Sequence, residues 1–102
     1  MNSRVVIRQQ VHDFIAALSP VPRRKLWAGI KGLPAGRGDM IQLEGSLAPF
    51  FRLRVGKIRV VFEEKSVAGE RVLVGFFADY RATVYRTLSQ LIANNLLGEL
   101  LN

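Results

Sequence analysis

Apolar and polar positions alternate most sharply between Phe50 and Phe62, in the run F-F-R-L-R-V-G-K-I-R-V-V-F. The alternation has the two-residue period of a strand and is interrupted once, at Gly56-Lys57. Glycine at the first central position suits a two-residue type II′ turn, so the run predicts a β-hairpin. That turn fixes a register: Val55 faces Ile58, Leu53 faces Val60 and Phe51 faces Phe62. These six side chains then share one apolar face. Arg52, Arg54 and Arg59 share the other, with Arg54 and Arg59 directly opposed. Like charges facing across a ladder are unfavourable. Clustered arginines without local compensation point to a functional surface for a phosphate-rich partner.

The rest of the chain supplies elements to pack against this hairpin. Residues 4–8, R-V-V-I-R, read as a short strand. Val11, Phe14, Ile15 and Leu18 recur at helical spacing. Ser19-Pro20-Val21-Pro22 breaks that helix, and Pro22 suits the first turn of a second one carrying Leu26, Trp27, Ile30 and Leu33. Two short helices joined this tightly predict an antiparallel helical hairpin. Residues 34–49 contain Pro34, Gly36, Gly38, Gly45 and Pro49 and read as a long loop with a short extended piece at 40–43. A turn around 67–70 precedes a buried strand at 72–78. From Arg81 onward the pattern is helical. Val84, Leu88, Leu91 and Ile92 form one stripe, which Leu96, Leu97, Leu100 and Leu101 extend.

The element order is therefore β-α-α-β-β-β-α. No repeat, low-complexity tract or linker divides the chain, so residues 1–102 are expected to form a single α+β domain. Its expected parts are an N-terminal strand and helical hairpin, an antiparallel sheet with helices on one face, and a C-terminal helix. The helices would cover the hairpin's apolar face and leave the arginine face open as a shallow groove.

Composition narrows the choice of chemistry. The 102 residues carry 15 basic and 8 acidic side chains, a net charge of +7. The excess is concentrated at the start, where residues 1–38 hold seven basic residues against Asp13 alone. This balance suits a polyanion, either nucleic acid or an acidic protein, and a solvated surface accounts for it as well. There are no cysteines. Disulfides and thiolate metal sites are thereby excluded, and a reducing cytoplasm suits the chain. A single histidine, His12, cannot build a conventional metal cluster, and neither metal nor cofactor is expected. The N-terminus lacks the apolar core of a signal peptide. Residues 88–101 are too short and too interrupted by Gln90, Asn94 and Asn95 to span a bilayer. No phosphate-binding loop or nucleophile elbow occurs.

One constellation has the makings of a reaction. Arg81 and Tyr85 are four residues apart and would share a helix face directly after the last strand. Guanidiniums around a phenol suit RNA cleavage without a metal. Arginines stabilise charge growing on the scissile phosphate, and a phenol among cations serves as acid or base. The nucleophile is the 2′-hydroxyl, so DNA is not a substrate. The simpler reading of the same pair is a surface contact on a helix. A second basic group, Arg23-Arg24-Lys25, opens the second helix, where cations oppose the helix dipole. It reads either as an outward binding surface or as solvated charge.

Three segments together resemble the RelE/ParE superfamily of type II toxin–antitoxin toxins. They are R-L-R-V-G-K-I-R-V-V-F at 52–62, R-A-T-V-Y-R at 81–86 and L-E-G at 43–45. The resemblance implies the β-α-α-β-β-β-α toxin fold and a cognate antitoxin partner. It further implies one of two activities. RelE-like members cleave mRNA in the ribosomal A site, whereas ParE-like members inhibit DNA gyrase. The RelE-like branch fits the arginines better and implies a translation-inhibiting, metal-independent endoribonuclease, an mRNA interferase. On that branch Arg59, Arg81 and Tyr85 match catalytic positions. Arg52, Arg54, Lys57 and the basic group Arg23, Arg24 and Lys25 would hold RNA and ribosome. One position departs from the pattern. The segment F-F-A-D-Y puts Asp79 near a site where the family carries arginine or histidine. Either Arg81 substitutes for that cation, or the chain is a gyrase inhibitor or an inactive binding module of the same fold. The C-terminal leucines offer a face for an antitoxin or for a second copy.

Overall fold

The computed structural model describes residues 3–101. The chain runs β1 (Ser3–Ile7), α1 (Gln9–Ala16), α2 (Pro20–Gly32), β2 (Asp39–Gln42), β3 (Phe50–Val55), β4 (Ile58–Val67), β5 (Glu70–Tyr80), α3 (Val84–Ala93) and α4 (Leu97–Leu101). Short 3₁₀ turns at Leu33–Ala35 and Gly45–Leu47 flank β2. The extended piece expected near 40–43 is β2. It begins one residue earlier and forms one edge of a five-stranded sheet ordered β1-β5-β4-β3-β2.

The hairpin register is the one that the alternation dictates. Val55 pairs with Ile58, Arg54 with Arg59, Leu53 with Val60 and Phe51 with Phe62. Gly56 has φ +58°, the positive value that the first position of this turn demands. The apolar face packs beneath α1 and α2, where Leu53, Ile58, Val60 and Phe62 join Val11, Ile15, Leu26 and Ile30 in one buried cluster. Two glycines permit close approach. A Cβ on Gly29 of α2 would meet Val55 Cγ2 at 2.8 Å, and one on Gly75 of β5 would meet Phe62 Cε2 at 2.9 Å. Glycine inside a helix costs about 1 kcal/mol relative to alanine. At Gly29 that cost is offset by the contact between α2 and β3.

The α+β class holds. The expected element order gains β2 as a further strand and has its C-terminal helix divided into α3 and α4, and two details of arrangement differ from expectation. The sheet is mixed, because β1 pairs parallel with β5 while the other pairs are antiparallel. Side-chain alternation encodes which face a residue takes, not strand direction. Here the helical hairpin returns the chain across the sheet and lets the first strand lie beside the last. The helices also occupy both faces. α3 and α4 cover the side opposite α1 and α2, over a second buried cluster of Phe50, Val61, Phe76, Phe77, Val84 and Leu88. A register shift between Val61 and Phe62 has an apolar consequence. It brings both Phe76 and Phe77 into that cluster and makes a floor that attracts a helix. The arginine face is therefore only partly open.

Gln10 completes the sheet where β1 stops. Its side-chain amide donates to Ala78 O at 2.8 Å, and its carbonyl accepts from Ala78 N at 2.7 Å. Both polar groups of a β5 residue beyond the reach of β1 are thus satisfied, which a buried strand requires. At the other end of α1, Arg23 Nη2 donates to Leu18 O at 2.7 Å. Part of the basic group at the start of α2 is therefore a cap for the preceding helix.

Candidate functional site

Four charged residues form one row across four strands. Asp39 pairs with Arg54, Arg54 with Arg59, and Arg59 with Asp79. All four side chains share the face opposite α1 and α2. Each of the opposed arginines therefore has an acid beside it in the ladder, which the hairpin sequence alone does not show. Asp39 is 4.0 Å from Arg54, and Asp79 holds the register position next to Arg59. The acids lie on β2 and β5, outside the hairpin, and only the register brings them alongside.

Each arginine has a different status. Arg52 is 13% exposed at its side chain and donates from Nη1 to Asp39 Oδ1 at 3.1 Å and Asp39 O at 3.0 Å. That pairing fixes β2 to β3. Arg54 lies 4.0 Å from Asp39 Oδ2 with its side chain 55% exposed, so its guanidinium remains open to an anion. Arg59 is half-buried and donates from Nη1 to Gly56 O at 2.9 Å and Ile58 O at 3.0 Å. It braces the turn.

Arg81 lies in the turn that precedes α3, not on the helix. The shared helix face expected for Arg81 and Tyr85 is not realised, because Asp79 organises a turn there. Asp79 Oδ1 accepts from Tyr80 N, and Oδ2 from Thr83 Oγ1, each at 2.8 Å. This is the side-chain capping for which aspartate is suited. It gives Asp79 a structural reason to stand near the arginines. The same turn delivers Arg81 N to Lys57 O at 2.8 Å. The segment after β5 is thereby fastened to the hairpin tip, with Arg81 beside Lys57 in the backbone. Tyr85, in the first turn of α3, is half-buried and packs on the cluster around Val61 and Phe77. Among the described residues, no hydrogen bond joins Tyr85 to an arginine.

The basic group at 23–25 divides similarly. Arg23 caps α1, while Arg24 and Lys25 are exposed. Lys25 lines a groove of about 400 Å³ together with Lys57, Leu18, Val55, Ile58 and Tyr80. This groove lies on the helical-hairpin side of the sheet, across the tip from the arginine row. Sequence reasoning missed Tyr80, Asp39 and Gln10. Each acts through a partner far away in the chain, so no local pattern marks it. His12 is exposed, with its ring 6.3 Å from Trp27. Among the described residues, no group of three His, Cys, Asp or Glu side chains is placed to hold a metal ion. No helix among them is long and apolar enough to cross a membrane.

No family model matches the sequence, and no curated protein matches it. Among solved structures, the chain is similar to a chain of the archaeal RelE–RelB complex from Pyrococcus horikoshii OT3. The two are 23% identical, the match covers 79% of this chain and 97% of that one, and the TM-score is 0.54. Five strands in this order, a helical hairpin on one face and a C-terminal helix on the other thus compose a RelE-like fold.

Proposed function

We propose that this chain is the toxin of a toxin–antitoxin pair and an endoribonuclease that cuts mRNA on the ribosome, in the cytoplasm. The observation that carries this reading is the Arg81 N–H to Lys57 O hydrogen bond. It draws cations from two separate segments to one end of the sheet, beside Arg54 and Arg59. The RelE-like fold and the net charge of +7 support the same reading. The charge also suits an acidic antitoxin.

In the proposed reaction, the RNA 2′-oxygen attacks phosphorus as its proton passes to a base. The P–O5′ bond breaks, and the departing oxygen takes a proton from an acid. A 2′,3′-cyclic phosphate and a 5′-hydroxyl result. Arg59 and Arg81 stabilise charge on the phosphate oxygens, and Tyr85 serves in proton transfer. Arg54 and Lys57 hold the flanking phosphates, with Arg52 positioning the strand that bears Arg54. Arg23, Arg24 and Lys25 face the ribosome. In the free chain Tyr85 packs partly buried against the cluster that contains Val61 and Phe77.

A defined mRNA translated in a purified system tests the reading. Cleavage within the message supports it, and intact mRNA beside folded protein refutes it. The second reading, a gyrase inhibitor or an inactive binding module, is favoured by one observation. Asp39 and Asp79 flank the arginine row, and Arg52 and Arg59 already have acceptors. Loss of DNA supercoiling by gyrase at excess protein, with mRNA intact, selects the inhibitor. Harmless expression without an antitoxin selects the inactive module.

A further inference from the structure

The groove on the helical-hairpin side of the tip has chemistry that the cleavage reading leaves unused. Its floor is apolar, formed by Leu18, Val55 and Ile58. One wall is the ring of Tyr80, which is 47% exposed. Phe14 of α1 supports that ring at a centroid distance of 5.4 Å and an interplanar angle of 58°. The charged residues lining the groove are Lys25 and Lys57, both cationic. Its volume of about 400 Å³ lies within the roughly 300–1,000 Å³ typical of small-molecule sites.

We infer that this groove is a nucleotide subsite for single-stranded RNA. A base stacks against Tyr80 over the apolar floor, and its phosphates lie against Lys25 and Lys57. An aromatic platform bordered by cations is the arrangement that single-strand binding uses, because every base has a π-face and every linkage a phosphate. Tyr80 pairs with Ile58 on β4, while the adjacent pair, Asp79 and Arg59, faces the opposite side. A strand crossing the hairpin tip therefore passes from Arg54 and Arg59, over Lys57, onto Tyr80. Lys57 links the two regions, since its carbonyl accepts from Arg81 N and the residue lines the groove. The choice of RNA over an acidic peptide rests on the RNA reading of the arginine face. The groove's dimensions and cations stand independently of it.

The test is fluorescence anisotropy of a labelled RNA hexanucleotide with the full chain, in the absence of ribosomes. Tyr80→Ala is expected to weaken binding about 5- to 100-fold, the range for loss of one stacked base. Tyr80→Phe, which keeps the ring, should bind within about twofold of the parent. Lys25→Ala should reduce the slope of log K against log salt by about 0.7, the value for one single-strand phosphate contact. Should Tyr80→Ala not fold by circular dichroism, the Lys25→Ala slope decides alone. Equal RNA affinity of Tyr80→Ala and parent, or an unchanged slope in Lys25→Ala, overturns the proposal. Preference for a glutamate-rich peptide at the same residues overturns it too. The two readings fail separately. Tyr80-dependent RNA binding without mRNA cleavage removes the nuclease and keeps the subsite. Cleavage with Tyr80-independent binding does the reverse.

Discussion

The two faces of the β3–β4 hairpin follow from the same alternation, yet they are held in different ways. Toward α1 and α2 every hairpin position is apolar, and contact with the helices is sufficient to order it. Leu53, Val60 and Phe62 are at most 1% exposed. The other face is divided: Phe50 and Val61 join the buried cluster under α3 and α4, while Arg52, Arg54 and Arg59 present charge and are ordered by directional pairs. Asp39 holds Arg52, turn carbonyls hold Arg59, and Asp79 organises the loop beside them. Burial tolerates small shifts but not lost volume. Directional pairs tolerate lost volume but not lost partners. The first face is built for stability, and the second trades some stability for cations presented at one end of the sheet.

The widest gap between the faces should appear in Phe62→Ala. Phe62 is fully buried and lies against Gly75, which leaves its ring no easy replacement. A loss of about 3–5 kcal/mol is expected in urea unfolding. Loss of less than about 1 kcal/mol would mean that the helical face is not the dominant source of stability. The mirror experiment is Arg59→Ala, alongside Tyr85→Phe. Each should slow mRNA cleavage at least ~100-fold, the scale of a lost transition-state donor or proton-transfer group. Arg59→Ala also removes two hydrogen bonds to carbonyls at the turn, so a stability loss of about 1–2 kcal/mol is expected, smaller than that of Phe62→Ala. A rate loss matched by an equal stability loss would erase the division between the faces.

The same division explains what the sequence made legible. The hairpin register, its apolar face and the arginine cluster were readable because each follows from period-two alternation around a glycine turn. The positions of Arg23, Arg81 and Tyr85 were readable only as spacings. Arg23 proved to be a helix cap. Arg81 fell in a turn because Asp79 accepts from Tyr80 and Thr83 and delays the start of α3. Asp39, Gln10 and Tyr80 gave no local signal. Each depends on a strand neighbour or helix neighbour that only tertiary pairing supplies. The parallel β1–β5 pairing was hidden for the same reason, since alternation is silent about strand direction. The second apolar floor arose from the shift at Val61/Phe62, which places Phe76 and Phe77 in one cluster.

A smaller effect is expected at Asp39. Asp39→Ala removes the carboxylate acceptor for Arg52 Nη1, leaving the backbone carbonyl of residue 39, and removes the acid beside Arg54. Asp39 is itself half-exposed, so water replaces part of the pairing and the stability loss should be about 1 kcal/mol. RNA affinity should rise, because Arg54 loses a competing anion. Reduced affinity would show that Asp39 serves mainly to orient the arginines, and anisotropy with a labelled RNA separates the two outcomes.

The smallest change is the most discriminating. Asp79→Asn keeps an oxygen to accept from Tyr80 N but loses a charge in the row containing Arg59. Asparagine favours the same turns as aspartate, so stability should move by no more than about 0.5 kcal/mol. Asp79→Ala, which loses both acceptors, should cost about 1 kcal/mol. If Asp79 only organises the turn, Asn should support cleavage at the parent rate and Ala should fall below it. If its charge restrains the arginine row, Asn should exceed the parent several-fold, with the gain shrinking as salt screens the row. Parallel rates for Asn and Ala, both far below the parent, would contradict both roles. They would make the carboxylate itself part of the reaction, on a face where only cations have been assigned to the phosphate.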